Sequence, residues 1–587
     1  MIYTPLRTTV FITALLLSVQ ASQSATTDTE SVAPEQGFGV MDKPAIFANR
    51  FMIVAAHPDA AKAGYEVLVK GGSAVDAAVA TQMVLNLVEP QSSGLGGGAF
   101  LVYYDNASRT LHTFDGRETA PASIQADRFL DTDGNPLPWW QRITGGGSVG
   151  VPGTLKLLEV VHQRFGTLPF DSLLEPAIHM ASEGFTVSPR MSASIADASD
   201  KGLMDFATTR DYFLDAAGEP LAAGSRQTNP EFANTLQLIA RHGSSVFYEG
   251  EIAEDIVATI NASRADSISL DDLANYRVIE RPAVCAAFRT YRVCGMGPPS
   301  SGALTVGQIL GILNHRAPSE NGPDSRFIHR FAEAGKLAYA DRAMYIADSD
   351  FVPVPVTGLL DPDYLGQRAA LIDDHAAMPE ATAGQPPSLN TLTAFQPDNH
   401  RDLPGTSHIS IIDESGNIVS MTTTIESGFG SRLMTHGFLL NNELTDFAAI
   451  ASEDGELKAN RIEPGKRPRS SMAPSIVLDA AGQPVLIAGS PGGSRIINYV
   501  AKTLALILDF DMSPQQAVSL PHFGNRNGAT ELEEGPFLDN VANDLTALGH
   551  QVKRSNMNSG LHVIRIHADG RLEGGADPRR EGVALGE

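Results

Sequence analysis

Thr406 stands where a polar, proline-bearing stretch, QPPSLNTLTAFQPDNHRDLPG, meets a strand pattern, TSHISIID. Cleavage of the bond between Gly405 and Thr406 would leave a hydroxyl and a free α-amine on one residue. An α-amine titrates near pH ~8, so at neutral pH part of it is free to take the hydroxyl proton. Gly405 suits such a break, since it tolerates strained backbone angles and leaves its carbonyl open to attack. Without cleavage, Thr406 is simply a β-branched residue opening a strand, and taken alone that is the simpler reading. Two other strings imitate reactive sites. GGSVG at 146–150 has the spacing of a nucleophile elbow, but no buried strand precedes Ser148 and Pro152 follows it. SGLGGGAF at 93–100 resembles a phosphate loop, yet no strand precedes it and no Lys-Ser/Thr closes it. The histidines, His408 included, show no metal-ligand spacing, so no metal and no cofactor is expected, and His408 is expected to pack rather than act as a base.

The elements around Thr406 read as a layered sheet. TSHISIID and IVSMTTTI flank the turn Glu414-Ser415-Gly416-Asn417, a hairpin signature. Strands follow at SIVLDA and PVLIAG, then a helix from about Ile496 to Phe510. Earlier, HPDAAKAGYEVLVK reads as a helix stopped by Gly71-Gly72, and Ser73 caps a second helix, AVDAAVATQMVLNLV. LVYY reads as a strand. Residues 150–280 alternate helical segments with Gly and Pro breaks, and Ser325 to Ala347 predicts an amphipathic helix. Strands followed by helices predict an α/β class with helices on the sheet faces. No internal repeat is present.

Composition limits the function. The 587 residues suffice for a large core, and 43 basic against 68 acidic residues give −25. That balance disfavours nucleic acid and anionic membranes as partners. Residues 1–25 read as a secretory signal, with Arg7 ahead of a mostly apolar run from Thr8 to Val19. No cysteine marks a lipoprotein anchor there, and no later stretch is long and apolar enough to span a bilayer, so a periplasmic or secreted protein without a membrane anchor is expected. Residues 26–45 read as a flexible lead-in and 379–405 as a mobile tail. Cys285 and Cys294, in VCAAFRTYRVCG, would face each other in a hairpin centred on Arg289-Thr290. An exported protein permits a disulfide there, and two buried thiols fit nearly as well.

Several separated strings together resemble the γ-glutamyltranspeptidase (glutathione hydrolase) family of N-terminal-nucleophile hydrolases. They are VEPQSSGLGGGAF (88–100), FDGRETAP (114–121), VCGMGPPSSGALTVGQILG (293–311), TSHISIIDESGN (406–417), LLNNELTDF (439–447), KRPRSSMAPSIV (466–477) and GSPGGSRII (489–497). The resemblance implies a four-layer αββα sandwich, self-cleaved at 405/406 into a large subunit (46–405) and a small catalytic subunit (406–587). It implies Thr406 as nucleophile, Thr424 as the hydroxyl that orients it, and Gly492 and Gly493 as oxyanion donors. Arg117, Ser470 and Ser471 would hold the α-carboxylate of a γ-glutamyl donor such as glutathione, and Glu443 and Asp446 its α-ammonium. Water or an amino-acid amine would accept the group. Glu426 departs from the asparagine of well-known members, and the segment from Phe447 to Pro468 aligns with a lid loop but looks shorter. Two rivals remain. One is a glutaryl (cephalosporin-type) acylase of the same fold, whose substrate lacks the ammonium that Glu443, Asp446 and Glu426 would meet. The other is a non-enzymatic periplasmic binding protein using the same charges.

Overall fold

The computed structural model describes residue 1, residues 39–320, 322–387, 395–398, 403 and 405–587. The expected signal segment lies outside these except for Met1, as do most of the lead-in and much of the 379–405 tail. Where that tail is described near its end, it is packed. Asp398 and Leu403 are buried, and Gln396 bridges to Lys458.

Two seven-stranded antiparallel sheets lie face to face. The first runs Val583–Gly586, Met52–Ala55, Thr406–Ile412, Ile418–Thr424, Gly98–Asp105, Thr110–Gly116 and Ile279–Arg281. The second runs Ile46–Ala48, Leu572–Ala576, His562–Ile566, Pro484–Gly489, Ser475–Leu478, Tyr291–Gly295 and Val284–Phe288. Both interleave strands from before and after residue 405, so the two stretches share one core. Between the sheets pack Val54, Val102, Tyr104, Ile412 and Ile418 against Ile476, Ile487 and Ile564. Helices Pro58–Val69 and Ala74–Val88 cover the outer face of the first sheet. Gly302–Asn314 and Ile496–Phe510 cover the second, and Ser325–Tyr345 packs on Gly302–Asn314. The result is an αββα sandwich.

Local signals account for much of this. Ser73 and Asp76 form a reciprocal capping box on Ala74–Val88, an arrangement worth about 1 kcal/mol. The cysteine hairpin turns at Arg289-Thr290, sets Cys285 opposite Cys294, and closes them as a disulfide. One expectation is corrected. The helix Ser325–Tyr345 is not amphipathic but buried on nearly all sides. Its charged residues are paired, Lys336 with Glu333 at 2.8 Å on the same helix and Asp341 with Arg368 of the helix Pro362–Ala369 at 3.2 Å. The hairpin of Thr406–Ile412 and Ile418–Thr424 has no solvent face, because its sheet lies between helices and a second sheet.

Candidate active site

The hairpin register sets the reacting hydroxyls. Pairing proceeds from Ile412↔Ile418 at the turn to Thr406↔Thr424 at the open end. On Thr406–Ile412, Ile409 and Ile411 face the outer helices, whereas Ser410 faces the second sheet, its hydroxyl donating to the His562 carbonyl at 3.0 Å. Strand alternation puts Thr406 on the face of Ser410. Thr406 Oγ1 lies 3.4 Å from Thr424 Oγ1, which donates to the Gly405 carbonyl at 2.9 Å and accepts the Glu426 N–H at 2.8 Å. In the intact chain the Thr424 hydroxyl thus polarises the carbonyl of the Gly405–Thr406 bond.

Gly405 is required for a reason other than the expected strain. Its φ is not positive; instead a Cβ there would sit 2.3 Å from the Glu426 carbonyl oxygen and 2.7 Å from the Ser427 carbonyl carbon. Close approach excludes a side chain. At the far side of the cavity the strand Pro484–Gly489 ends in Ser490-Pro491-Gly492-Gly493. Gly492 and Gly493 have φ of 132° and 56°, open to glycine at little cost. Gly493 lines the cavity, and Gly492 stands behind it against Tyr499.

Arg117, Glu426, Glu443, Asp446, Ser470 and Ser471 line the same cavity as Thr406 and Thr424. Arg117 follows the strand Thr110–Gly116, and Glu443–Asp446 is a single 3₁₀ turn. The Arg117 guanidinium contacts Glu443 through Nη1 and Asp446 through Nη2 at 2.5 Å, and its Nε and Nη2 also donate to the carbonyls of Pro468 and Arg469. The expected carboxylate binder and ammonium binders are thus paired with each other. Ser471 Oγ accepts from Arg342 at 2.8 Å, and Ser470 Oγ accepts the Met472 N–H at 3.1 Å.

Charge in this cluster is unbalanced. Burial pushes Glu443 well above the ordinary carboxylate range against the pull of Arg117, with Glu118 and Glu426 adding to the rise. Burial likewise raises Glu118 to about 7. Burial works against the Arg117 charge, but Glu443, Asp446 and Glu118 outweigh it and hold the guanidinium protonated. The carboxylates outnumber the cation they surround, and burial with that excess favours the protonated forms of Glu443 and Glu118.

The intact chain also fills its own cavity. Only ≈ 20 Å³ is open, whereas small-molecule sites offer about 300–1,000 Å³. Leu403 lines the space and its N–H donates to Glu426 Oε1 at 3.0 Å. The segment 447–468 closes over the preceding residues: Gln396 N–H reaches the Leu457 carbonyl at 2.9 Å, and Asn460 reaches Asp398 at 3.0 Å.

Three features were missed at the level of sequence. Glu118 sits inside the quoted string FDGRETAP. Glu89 sits inside VEPQSSG and accepts from Ser407 Oγ at 2.7 Å while paired to Arg190. Leu403 had no signal beyond its position before the junction. Ser148 is buried and bonded to the carbonyls of Ile143 and Gly145. His408 bonds Thr422 and Ser410, and burial, then His562, hold it neutral. Among the described residues one group, His329, Glu333 and His550, has metal-compatible spacing. Its ring nitrogens meet one another, the Asp373 carbonyl and Thr530, and the Lys336 ammonium stands 2.8 Å from Glu333.

Comparison with known proteins agrees with this architecture. A family model described as gamma-glutamyltranspeptidase matches residues 60–587. The glutathione hydrolase proenzyme of Bacillus subtilis (strain 168) is 37% identical, with 98% of each chain covered. The acylase ACY 1 proenzyme of Pseudomonas sp. (strain V22) is 35% identical over 92% of this chain and 94% of its own. The crystal structure of cephalosporin acylase from Bacillus halodurans superposes with a TM-score of 0.82 at 26% identity, covering 94% of this chain and 99% of that one. The chain belongs to the gamma-glutamyltranspeptidase family.

Proposed function

We propose that this protein cleaves itself between Gly405 and Thr406 and then transfers γ-glutamyl groups from glutathione and related amides through an acyl-Thr406 intermediate. In cleavage, Thr406 Oγ attacks the Gly405 carbonyl, the peptide C–N bond breaks, and the chain passes to the oxygen as an ester. Water hydrolyses that ester, leaving Gly405 as a carboxylate and Thr406 with a free amine. In turnover the amine takes the hydroxyl proton and Oγ attacks the donor γ-carbonyl. Thr424 orients Oγ, and the main chain at Gly492 and Gly493 receives the developing oxyanion, where each donor contributes about 3–4 kcal/mol. The amine then returns its proton to the departing nitrogen, and water or an amino-acid amine resolves the ester.

One observation carries the choice of substrate: an arginine fork and three carboxylates line the cavity that holds Thr406. A zwitterionic donor would separate the internal pairs, its α-carboxylate taking Arg117, Ser470 and Ser471, and its ammonium taking Glu443, Asp446 and Glu426. Release of residues ahead of Thr406 would let Leu403 leave the space. An exported enzyme suits this reading; among the described residues no helix is long and apolar enough to cross a membrane.

The acylase likeness favours a second reading, a glutaryl acylase, and one assay separates the two. Cleaved protein is offered γ-glutamyl-p-nitroanilide and glutaryl-p-nitroanilide side by side. The γ-glutamyl reading expects kcat/KM at least about 100-fold higher for the first, because a donor without the ammonium leaves buried carboxylates without a partner. A preference for the glutaryl compound would replace it with the acylase reading. A non-enzymatic binding protein would hydrolyse neither.

A further inference from the structure

Arg580 lies on the loop between the strands Leu572–Ala576 and Val583–Gly586, far in sequence from every residue assigned above, yet its side chain ends at the nucleophile. Its guanidinium is fully buried and donates to the carbonyl of Thr406 itself at 3.2 Å, to that of Ser559 at 3.2 Å and to that of Asn558 at 3.3 Å. Lys43 holds the arginine's own carbonyl from the other side. The bridged loop also touches the oxyanion turn. Gly560 N–H donates to Ser490 Oγ at 3.3 Å, and a Cβ on Gly560 would fall 2.6 Å from Pro491 and 2.8 Å from Arg580. Arg580 thus joins the first residue of the nucleophile strand to the loop that supports Gly492-Gly493.

The amine and carbonyl oxygen of one residue lie no more than about 4 Å apart, so a guanidinium on that oxygen stands within about 7 Å of the nitrogen. A positive charge so close, shielded from water, disfavours a second positive charge on the amine. We propose that Arg580 is a positioning residue for the catalytic base: it fixes the Thr406 carbonyl and keeps the α-amine, once cleavage frees it, in its neutral form. The inference rests on the reading of Thr406 as an N-terminal nucleophile.

Other charges face the same residue. Glu426, Glu443 and Asp446 line the cavity with Arg117 between them. Glu89 lies beyond Ser407, paired with Arg190, and His408 and His562 are neutral. Behind Arg580 stand Asp577, Glu581 and Lys43. The cavity carboxylates favour an ammonium on Thr406, and a bound donor's own ammonium offsets them. Arg580 opposes the carboxylates whether or not a donor is present.

The test is the pH profile of kcat/KM for γ-glutamyl-p-nitroanilide with wild type, Arg580→Gln and Arg580→Lys, each also weighed for cleavage. Activity falls on the acid side as the amine gains its proton. Arg580→Gln should cleave, since the amine does not exist beforehand, and its acid midpoint should move up by about one pH unit. Arg580→Lys keeps the charge and should keep the wild-type midpoint with a lower plateau. A wild-type midpoint in a cleaved Gln variant overturns the proposal, and so does a folded Gln variant that stays uncleaved. Should the Gln variant not fold, a raised midpoint in the Lys variant overturns it and a wild-type midpoint supports it. Failure of the parent reading looks different: wild type itself would remain one chain or leave the anilide untouched.

Discussion

The two ends of the cavity are built by opposite means. At one end, Thr406 and Thr424 sit in a β-ladder, are uncharged, and owe their meeting to a local hairpin whose turn lies six residues from the strand end. At the other, Arg117 meets Glu443 and Asp446 from a distant segment, Glu118 and Glu426 add to the negative charge around Glu443, and the carboxylates outnumber the one guanidinium. On the proposed reading, reaction geometry would be fixed by backbone register, which substitutions change little. Recognition would rest on buried charges that satisfy one another until a ligand replaces them. The first should fail through chemistry with the fold intact, and the second through stability and affinity together.

The largest combined effect is expected at the charged end. Arg117→Ala leaves Glu443 and Asp446 buried without their cation, which costs about 3–5 kcal/mol when one partner of such a pair is removed. Urea unfolding should register that loss, and KM for the γ-glutamyl anilide should rise steeply. A stable variant with unchanged KM would break the contrast. Thr424→Val removes the hydroxyl that donates to the Gly405 carbonyl while keeping strand shape. Cleavage should slow by about 10²–10³-fold in a gel time course with the melting temperature nearly unchanged. Gly405→Ala should also impair cleavage, because its methyl meets the backbone of 426–428 at a cost of about 1–3 kcal/mol.

The charge excess adds a pH signature. Glu118 is raised in the folded chain to about 7 from 4.5. Between those values the folded state binds more protons than the unfolded one, so stability is greatest below pH 4.5 for this group and is lost as pH rises toward 7. Glu118→Gln should flatten that part of the stability profile. A donor ammonium favours ionised carboxylates, so binding to the cleaved enzyme near neutrality should release protons, measurable by calorimetry in two buffers of different ionisation enthalpy. The smallest effect on activity belongs to the disulfide, which closes an edge hairpin of the second sheet away from the cavity lining. Replacing both cysteines by serine should lower stability by about 2–3 kcal/mol and leave kcat within a few-fold.

The same contrast explains what could be read from sequence. The Thr406–Thr424 pairing was within reach, since a turn at Glu414–Asn417 fixes which residues face each other along both strands. The Cys285–Cys294 pairing follows from Arg289-Thr290 by the same logic, and the helix from Ile496 to Phe510 was placed at its observed ends. The charged end was visible only through family resemblance, because nothing local to Arg117 says that Glu443 and Asp446 will fold against it. That these groups pair with one another, and that Leu403 fills the space, depends on the intact chain competing for the site. The buried character of Ser325–Tyr345 was missed because its charged residues are matched by partners on other elements, which periodicity along one helix does not report.

The central claim is that Thr406 makes its own amine, and intact mass of the purified protein beside Thr406→Ala tests it most directly. The account predicts two wild-type fragments that meet at Gly405/Thr406, the smaller beginning with Thr406, and one uncut chain in the variant. A wild-type protein that stays whole, or a variant cut at the same bond, would contradict it.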